Sequence, residues 1–436
     1  MTTKLTEKNI SSVANAGINW QSVIVADGST GTTGVAGRGY FINTTSAAHT
    51  FTLPATATFA DTILIKDYAG TFGTNALTIA RNGHNIQGAA NNSEIGTNRA
   101  SVTLVYVDVT RGWEFVTESN VADLQAASFI TATGGTVLTD GDFKTHVFTG
   151  DGSFVVSSVG NPVGSTSVEY LVVAGGGGGG MSNGGGGGGG AGGYRQNFPS
   201  PTIAGLPVTA QSYPITVGGG GPGGAGSPSC SPSNIGTNGA PSVFSTITST
   251  GGGAGGGANQ APTNAGLSGG SGGGNGRGGS GAGGTGNTPP VSPSQGNPGG
   301  AGIPDASNTG GGGGGAGAAG TAAGPGNGGG PGGIGSPIAT TFFGPTAPSY
   351  GTPGPAPGRY FAGGGGGNEE VGPNPSGAGG AGGGGSGGGF PSFGAQSNGN
   401  PATINTGGGG GGGDAIAPIG GGTGGSGIVV IRYKFQ

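Results

Sequence analysis

Few side chains in this sequence have the types and spacing that support chemistry. The three histidines lie in separate predicted strands or turns, and none has a cysteine or carboxylate at metal-ligand spacing. They are His49, His84 and His146. We therefore expect each of them to be an ordinary strand or turn residue, and the sequence predicts no metal site.

Three aspartates bracket a hairpin that the sequence predicts after residue 142. Asp140, Asp142 and Asp151 could hold a cation, because carboxylate oxygens are the ligands that hard metal ions prefer. Carboxylates on turns are more often solvated than metal-bound, however. We therefore interpret these three side chains as solvated turn residues.

The remaining candidate motifs are equally weak. Cys230 is the single cysteine, so it can form no disulfide within the chain and cysteine supplies no zinc site. Matches to G-x-G-x-x-G are frequent, but phosphate binding also requires a following helix, and none is predicted. We expect no catalytic residues and no cofactor.

The composition excludes several classes of protein. Gly accounts for 118 of 436 residues, only 7% are charged, and the net charge is −4. Such a chain has little side chain with which to shield a catalytic pocket and no basic field for phosphates. Its apolar runs are far shorter than the ~20 residues that span a bilayer, and Met1–Trp20 lacks the pattern of a signal peptide. We expect a non-enzymatic protein that neither binds nucleic acid nor inserts into a membrane.

The predicted secondary structure differs from one part of the chain to the next. Residues 1–19 are polar and predict an N-terminal arm. Over residues 20–117, short apolar or β-branched runs alternate with turn residues, which predicts an all-β, sandwich-like domain of antiparallel strands. The predicted strands are Ser22–Ala26, Gly39–Asn43, Thr50–Leu53, Asp61–Lys66, Ala76–Ile79, Ser101–Asp108 and Trp113–Val116. Residues 118–142 predict a linker with a short helix at Val121–Ala127.

Residues 143–436 are predicted to form one further unit. Phe143–Thr149 and Ser153–Val156 flank a Gly-Asp-Gly turn, which predicts a hairpin. Val168–Ala174 leads directly into a glycine run, and the chain ends on a strong strand, Gly427–Tyr433. Pairing these two segments would close the intervening region into a single unit.

Three states are open to the glycine-rich segment. Collagen requires Gly at every third position, and Ala282 breaks that frame. A disordered linker is the alternative, although apolar clusters interrupt the segment. We favour the third state, extended threefold helices whose backbone groups hydrogen-bond to neighbouring helices. The predicted fold is therefore an all-β N-terminal domain followed by a glycine-rich bundle of polyglycine-II-type helices closed by terminal β-strands.

Aromatic residues fall between the glycine runs, beside Pro and Ser. One interpretation is that they cap the ends of the bundle against water. The other is that they form an exposed surface of rigid anchors for a receptor. These receptor-binding candidates are Tyr194, Phe198, Phe342, Phe343, Tyr350, Tyr360, Phe361, Phe390 and Phe393.

A succession of segments in the second half of the chain carries a family resemblance. The segments are Phe148-Thr149, Phe154-Val155, Glu169-Tyr170-Leu171-Val172-Val173-Ala174-Gly175-Gly176, Gly190-Ala191-Gly192-Gly193-Tyr194-Arg195, Tyr213-Pro214-Ile215-Thr216-Val217-Gly218 and Gly425-Ser426-Gly427-Ile428-Val429-Val430-Ile431-Arg432-Tyr433. In this order they resemble the glycine-rich domain of phage tail-fibre proteins and adhesins. The resemblance covers residues 143–436.

The N-terminal half resembles virion structural and fibre proteins of marine phages that infect cyanobacteria. The segments concerned are Gly39-Tyr40-Phe41-Ile42-Asn43-Thr44-Thr45, Thr52-Leu53-Pro54 and Ile65-Lys66-Asp67-Tyr68-Ala69-Gly70-Thr71-Phe72. Together the resemblances imply a virion appendage on the tail or capsid. They imply a β-rich shaft or attachment module and host-surface recognition through the loops of the glycine-rich unit.

The resulting hypothesis is a non-enzymatic virion fibre protein that contributes to host attachment. Its partners would be other virion proteins, through the N-terminal region, and a host surface glycan or outer-membrane protein. A homo-oligomer is expected, with a trimer favoured. The alternative is a purely structural, self-assembling fibre or capsid-decoration subunit whose Asp61–Lys66 and Ile428–Ile431 strands pair between chains. Ice binding would require a regular Thr/Ala face, which the irregular loops do not provide.

Overall fold

The computed structural model divides the chain into two compact units, with the division between Ala127 and Ser128. The described residues are 18–118, 123–124, 126–182, 184–199, 203–225, 234–257, 264–279, 281–303, 309–324, 328–369, 375–389, 398–414 and 420–436. Within these ranges the elements are β-strands and two short 3-10 helices. Most of the predicted N-terminal arm lies outside them.

The first unit contains two sheets. One consists of β1 (Asn19–Trp20), β2 (Ile24–Val25), β4 (Arg38–Asn43), β6 (Thr62–Asp67), β9 (Ser101–Asp108) and β10 (Gly112–Glu118). The other consists of β3 (Thr32–Thr33), β5 (His49–Thr52), β7 (Leu77–Ala80), β8 (Ser93–Ile95) and β11 (Asp123–Leu124). The helix predicted at Val121–Ala127 is wrong where the chain is described, because β11 pairs with β8 as a strand.

The strand directions in this unit differ from the prediction. The chain crosses from one sheet to the other between successive strands, so β4 pairs with β6 in parallel, and β5 pairs with β7 in parallel. Only the later pairs, such as β6 with β9 and β9 with β10, are antiparallel. The predicted antiparallel arrangement is therefore wrong for the early strands, although the strand positions agree closely.

One core lies between the two sheets of the first unit. Alternate residues of each strand are buried, as in Ser101–Asp108, whose Val102, Leu104 and Tyr106 point inward. Trp113 is fully buried in the same core. The two sheets therefore pack face to face, which is the reason that the alternating apolar pattern occurs in strands of both.

The second unit also contains two larger sheets. One consists of β12 (Thr131–Thr133), β15 (Gly152–Ser158), β20 (Ser212–Thr216), β21 (Ser242–Phe244) and β22 (Ile247–Ser249). The other consists of β13 (Thr136–Asp140), β14 (Phe143–Phe148), β16 (Ser167–Val173), β18 (Tyr194–Gln196), β19 (Leu206–Pro207) and β26 (Ile428–Lys434).

Smaller elements complete the second unit. Two short sheets pair β17 (Met181–Ser182) with β25 (Gly413–Asp414) and β23 (Ser336–Ile338) with β24 (Arg359–Phe361). The 3-10 helices are Thr340–Phe342 and Gly344–Ser349.

The predicted closure of the second unit is confirmed, but the predicted hairpin is wrong. β16 and β26 pair antiparallel along five register positions, although 254 residues separate Val173 from Ile428 in the chain numbering. β14 and β15 do not pair with each other. β14 pairs with β13 and β26, whereas β15 pairs with β12 and β20. The turn at Gly150-Asp151-Gly152 therefore carries the chain from one sheet to the other.

The predicted bundle of polyglycine-II-type helices is wrong. The described part of the second unit consists of several β-sheets with two short 3-10 helices, and the glycine runs contain no helical element. The apolar segments pair as strands because only then are their side chains buried. Tyr170, Val172, Phe154 and Ile431 thus share one core between the two larger sheets. Glycine runs have no side chains to bury, so they cannot form such a core by themselves.

The glycine runs are extended segments that bond laterally to one another. The amides of Gly175 to Gly180 donate to the carbonyl oxygens of Ala240, Gly425, Gly190, Thr237, Gly422 and Gly187, at 2.8–3.0 Å. These acceptors lie on several neighbouring segments. The backbone groups of this run are therefore paired although they lie outside any strand.

Glycine is required in these runs because the neighbouring backbones are close. A Cβ atom on Gly177 would lie 2.2 Å from the carbonyl oxygen of Gly253, and one on Gly179 would lie 2.0 Å from that of Gly411. Any side chain at these positions would push the segments apart. The glycine content thus follows from contacts between backbones.

Candidate functional site

The three histidines are separate structural residues. His49 is buried, and its Nε2 lies 2.9 Å from the hydroxyl of Thr32. His84 lies 3.2 Å from the carbonyl oxygen of Ala55. Burial lowers the pKa of His49, and likewise that of His146, below the ordinary value for histidine. Burial therefore favours the neutral form of His49 and of His146. The three rings lie in different parts of the fold and share no site.

The three aspartates do not converge on one point. Asp142 lies 3.7 Å from the ammonium group of Lys434, and Asp151 accepts a hydrogen bond from the amide of Val217. Asp140 ends β13 beside Gly344. Within the described ranges, no group of three His, Cys, Asp or Glu side chains could hold a metal ion.

Most of the predicted receptor-binding aromatic residues are buried. Phe342, Phe343, Phe361 and Tyr194 share a core on the outer face of the sheet that contains β26, and Phe198 and Tyr350 pack against it. The ring centroids of Phe342 and Phe343 are 5.3 Å apart at 88°. These rings hold the two 3-10 helices against the sheet.

Tyr360 is also buried, and its hydroxyl accepts a hydrogen bond from the amide of Ala356. Phe390 and Phe393 lie outside the described residues. The described candidates therefore form packed structure and do not present a surface of aromatic anchors. The bundle ends that these rings were expected to cap do not exist in the described part of the second unit, and the predicted role of the rings in receptor binding stays a prediction.

A groove of about 510 Å³ lies at the end of the β16 and β26 strands. Its floor carries Glu169 and Arg432, which are direct register partners and form a buried ion pair. The guanidinium carbon of Arg432 lies 3.6 Å from the ring centroid of Phe143 and 5.4 Å from that of Phe198. We call this the ion-pair groove. Because the two charges neutralise each other there, the pair primarily holds the strands in register.

A second groove, of about 370 Å³, lies along the edge strand β18. We call it the edge groove, and its lining includes Tyr170, Tyr194, Arg195, Ile203, Ser292 and Pro293. The hydroxyl of Tyr194 donates a hydrogen bond to the carbonyl oxygen of Pro337, and burial raises its pKa. Arg195 supplies a cation. The edge groove thus combines phenolic, cationic and apolar groups.

Sequence reasoning predicted one residue of the edge groove, Tyr194, and missed its other members. Tyr170 and Arg195 occur inside the segments that carry the family resemblance, but their roles depend on the pairing of β16 with β18. A signal for Glu169 and Arg432 did exist. A charged residue within each of two strongly apolar strands indicates a buried pair.

Residues 149–434 match the glycine-rich domain family. The chain belongs to this family. The matched range begins within the turn after β14 and ends on β26, so the glycine-rich domain includes both β16 and β26. Both grooves have most of their lining within it. No curated protein matches the chain.

The described part of the chain contains no helix with the length and apolar character that crossing a bilayer requires. The strands on which the predicted alternative function relied are also internal. β6 lies between β4 and β9, and β26 lies between β14 and β16. Neither has a free edge, so the predicted pairing of these strands between chains is wrong.

Proposed function

We propose that the chain is a non-enzymatic virion fibre protein that contributes to attachment to the host cell surface. The observation that carries this proposal is the lateral hydrogen bonding of the glycine runs, for which Gly175 to Gly180 are the example. Segments held in this way form a stiff scaffold, and stiff scaffolds present surface groups at low entropic cost on binding. The family resemblance of the sequence supports the same function.

The proposal assigns different roles to the two units. The first unit would dock to other virion proteins, and the glycine-rich domain would contact a host surface glycan or outer-membrane protein. Because the predicted aromatic residues are mostly buried, the contacts would come from grooves and connecting loops of the domain. Several copies on one particle, with a trimer favoured, would turn weak contacts into strong attachment.

Binding to cells tests this function. The purified full chain, labelled at its amino terminus, is titrated onto a panel of marine cyanobacterial strains and measured by flow cytometry. Saturable binding to some strains, competed by unlabelled chain, is the expected result. Absence of binding from every strain, together with end-to-end filaments in negative-stain images, would favour the structural subunit that is the alternative.

A further inference from the structure

The edge groove contains a cation, Arg195, for which the described part of the chain supplies no carboxylate partner. Arg195 lies on β18 and pairs in register with Val172 of β16. Its guanidinium group contacts the carbonyl oxygen of Thr248 at a long 3.5 Å. Over the residues that the structure describes, Arg195 forms no ion pair, in contrast to Arg432 in the ion-pair groove. The edge groove therefore retains a positive charge that can bind an anion.

Tyr170 lines the same groove as Arg195. Burial raises the pKa of Tyr170, and the charge of Arg195 partly offsets that effect. The hydroxyl is therefore protonated at neutral pH and can donate a hydrogen bond. The Tyr170 ring is fixed by an edge-to-face contact with Phe244, at 6.4 Å between centroids. Tyr170 and Arg195 both line the edge groove, and an O–H donor together with a guanidinium group favours an oxyanion.

The other walls of the edge groove suit a sugar ring. Ile203 and Pro293 offer apolar surface on which the C–H face of a sugar can pack, and Ser292 offers an exposed hydroxyl. The volume of about 370 Å³ is within the range of small-ligand sites. The groove thus combines an anion-binding side with a side that is partly apolar.

We propose that the edge groove binds a sugar unit that carries an anionic group, with Arg195 and the Tyr170 hydroxyl holding the oxyanion. The anion can be the carboxylate of a uronic acid or a sugar phosphate, since both present the same charged oxygens. The proposal rests on the attachment function given above, because that function places the domain against host glycans. It names the chemical class of the ligand, which the attachment function leaves open.

Calorimetric titration of the full chain tests the groove directly. Glucuronate, glucose 6-phosphate and glucose are the three probes. Binding of either anionic sugar, with at least tenfold weaker binding of glucose, is expected, and the two anionic probes distinguish a carboxylate from a phosphate ligand. Equal binding of all three, or binding of none, would overturn the proposal.

Variants then locate the site. Arg195→Gln should weaken binding of the anionic sugar about tenfold or more, since one charge-assisted contact is lost. Tyr170→Phe, which keeps the ring, should weaken it severalfold. Arg38→Gln, the same change in the first unit, is the matched control and should leave binding unchanged. If Arg195→Gln binds as the original chain does while its fold is intact by circular dichroism, the edge groove is not the site.

The cell assay separates this proposal from the attachment function. If the chain binds cells but no anionic sugar, the edge groove assignment fails and the attachment function survives. If the chain binds an anionic sugar through Arg195 but no cells, the groove assignment stands and the attachment function fails. Where Arg195→Gln misfolds, Arg195→Lys retains the charge and should retain measurable affinity for the anionic sugar.

Discussion

The hydroxyl of Tyr433 lies 3.1 Å from Nε2 of His146, and Nδ1 of the same imidazole lies 2.7 Å from the carbonyl oxygen of Gly134. A carbonyl can only accept, so Nδ1 carries the proton. In the neutral ring Nε2 is then an acceptor, and the Tyr433 hydroxyl donates to it. The two residues join β14 to β26 within a fully buried site. One histidine tautomer is thus fixed by the pairing of segments that are distant in sequence.

This arrangement predicts that the second unit loses stability in mild acid. Burial lowers the pKa of His146 below the ordinary histidine value of about 6.5. As the pH falls below about 6.5, the unfolded chain takes up a proton that the folded chain does not, so the free energy of unfolding decreases, by at most about 1.4 kcal/mol per pH unit. Hydrogen-exchange protection of β14 and β26 peptides, corrected for intrinsic rates, should therefore be lower at pH 5 than at pH 7.5.

His146→Gln should remove this pH dependence, because the amide can both donate and accept but does not titrate. His84→Gln, in the first unit, is the matched control and should leave the pH dependence of the second unit unchanged. An equal loss of protection in acid for His146→Gln and the original chain would show that another group is responsible.

Two glycines of the second unit, Gly177 and Gly219, should respond oppositely to alanine. A Cβ on Gly177 would lie 2.2 Å from a backbone oxygen, whereas one on Gly219 would meet nothing within 4 Å. Gly177→Ala should destabilise the second unit by about 1–3 kcal/mol or more, because backbone must move. Gly219→Ala should be neutral or stabilise it by about 0.4–1 kcal/mol through the unfolded state. Urea unfolding, monitored by hydrogen exchange of peptides from the second unit, measures the free energy of unfolding of each variant. Equal changes in that free energy would contradict the backbone-contact explanation.

The sequence could predict strand positions but, apart from the pairing of β16 with β26, not strand partners. The alternation in Ser101–Asp108 reports which residues point inward, and the structure agrees. Alternation carries no information about direction, so the parallel pairing of β4 with β6 was not predictable from it. The closure of β16 on β26 was predictable because two strong strands flank a region with few others of comparable strength.

The aromatic residues illustrate a different limit. Pro and Ser beside Phe342 and Phe343 indicate a loop, and loops are usually exposed. That the loop folds into two short 3-10 helices covering a sheet face depends on contacts with distant residues such as Val430. The edge groove has the same origin, because Tyr170, Arg195 and Ser292 come together only after the sheet has formed. Such a site cannot be deduced from spacing.

The stability of the second unit should depend on Glu169 and Arg432 as a pair. Removing one partner should cost much more than removing both. Arg432→Met leaves a carboxylate buried without its cation and should cost about 3–5 kcal/mol. Combining it with Glu169→Met should recover a large part of that loss, since an apolar pair of similar size can replace a buried ion pair. Urea unfolding monitored on β16 and β26 peptides gives the coupling free energy.

Lys434→Met on the same strand is the control for this pair. Its partner Asp142 is 3.7 Å away and both side chains are substantially exposed, so the loss should be about 1 kcal/mol or less. Additive effects of the two changes at Glu169 and Arg432 would contradict a direct interaction between them.

Asp67 is a buried side chain that anchors the loop following β6 in the first unit. Its carboxylate accepts hydrogen bonds from the amides of Gly70, Thr71, Phe72 and Arg99. Asp67→Asn keeps the size of the side chain but places an NH₂ group against backbone donors. The expected cost is about 2 kcal/mol or more, because bonds to a charged acceptor are lost and buried donors are left unsatisfied.

Tryptophan fluorescence reports this loss selectively, since both tryptophans, Trp20 and Trp113, lie in the first unit. Asp108→Asn is the matched control. Asp108 also accepts two backbone amide bonds, from Thr110 and Arg111, but it does so on an exposed turn. There water can replace the lost acceptor, so the cost should stay below about 1 kcal/mol. Equal shifts of the urea midpoint for the two variants would mean that burial adds nothing to the anchoring of the Asp67 loop.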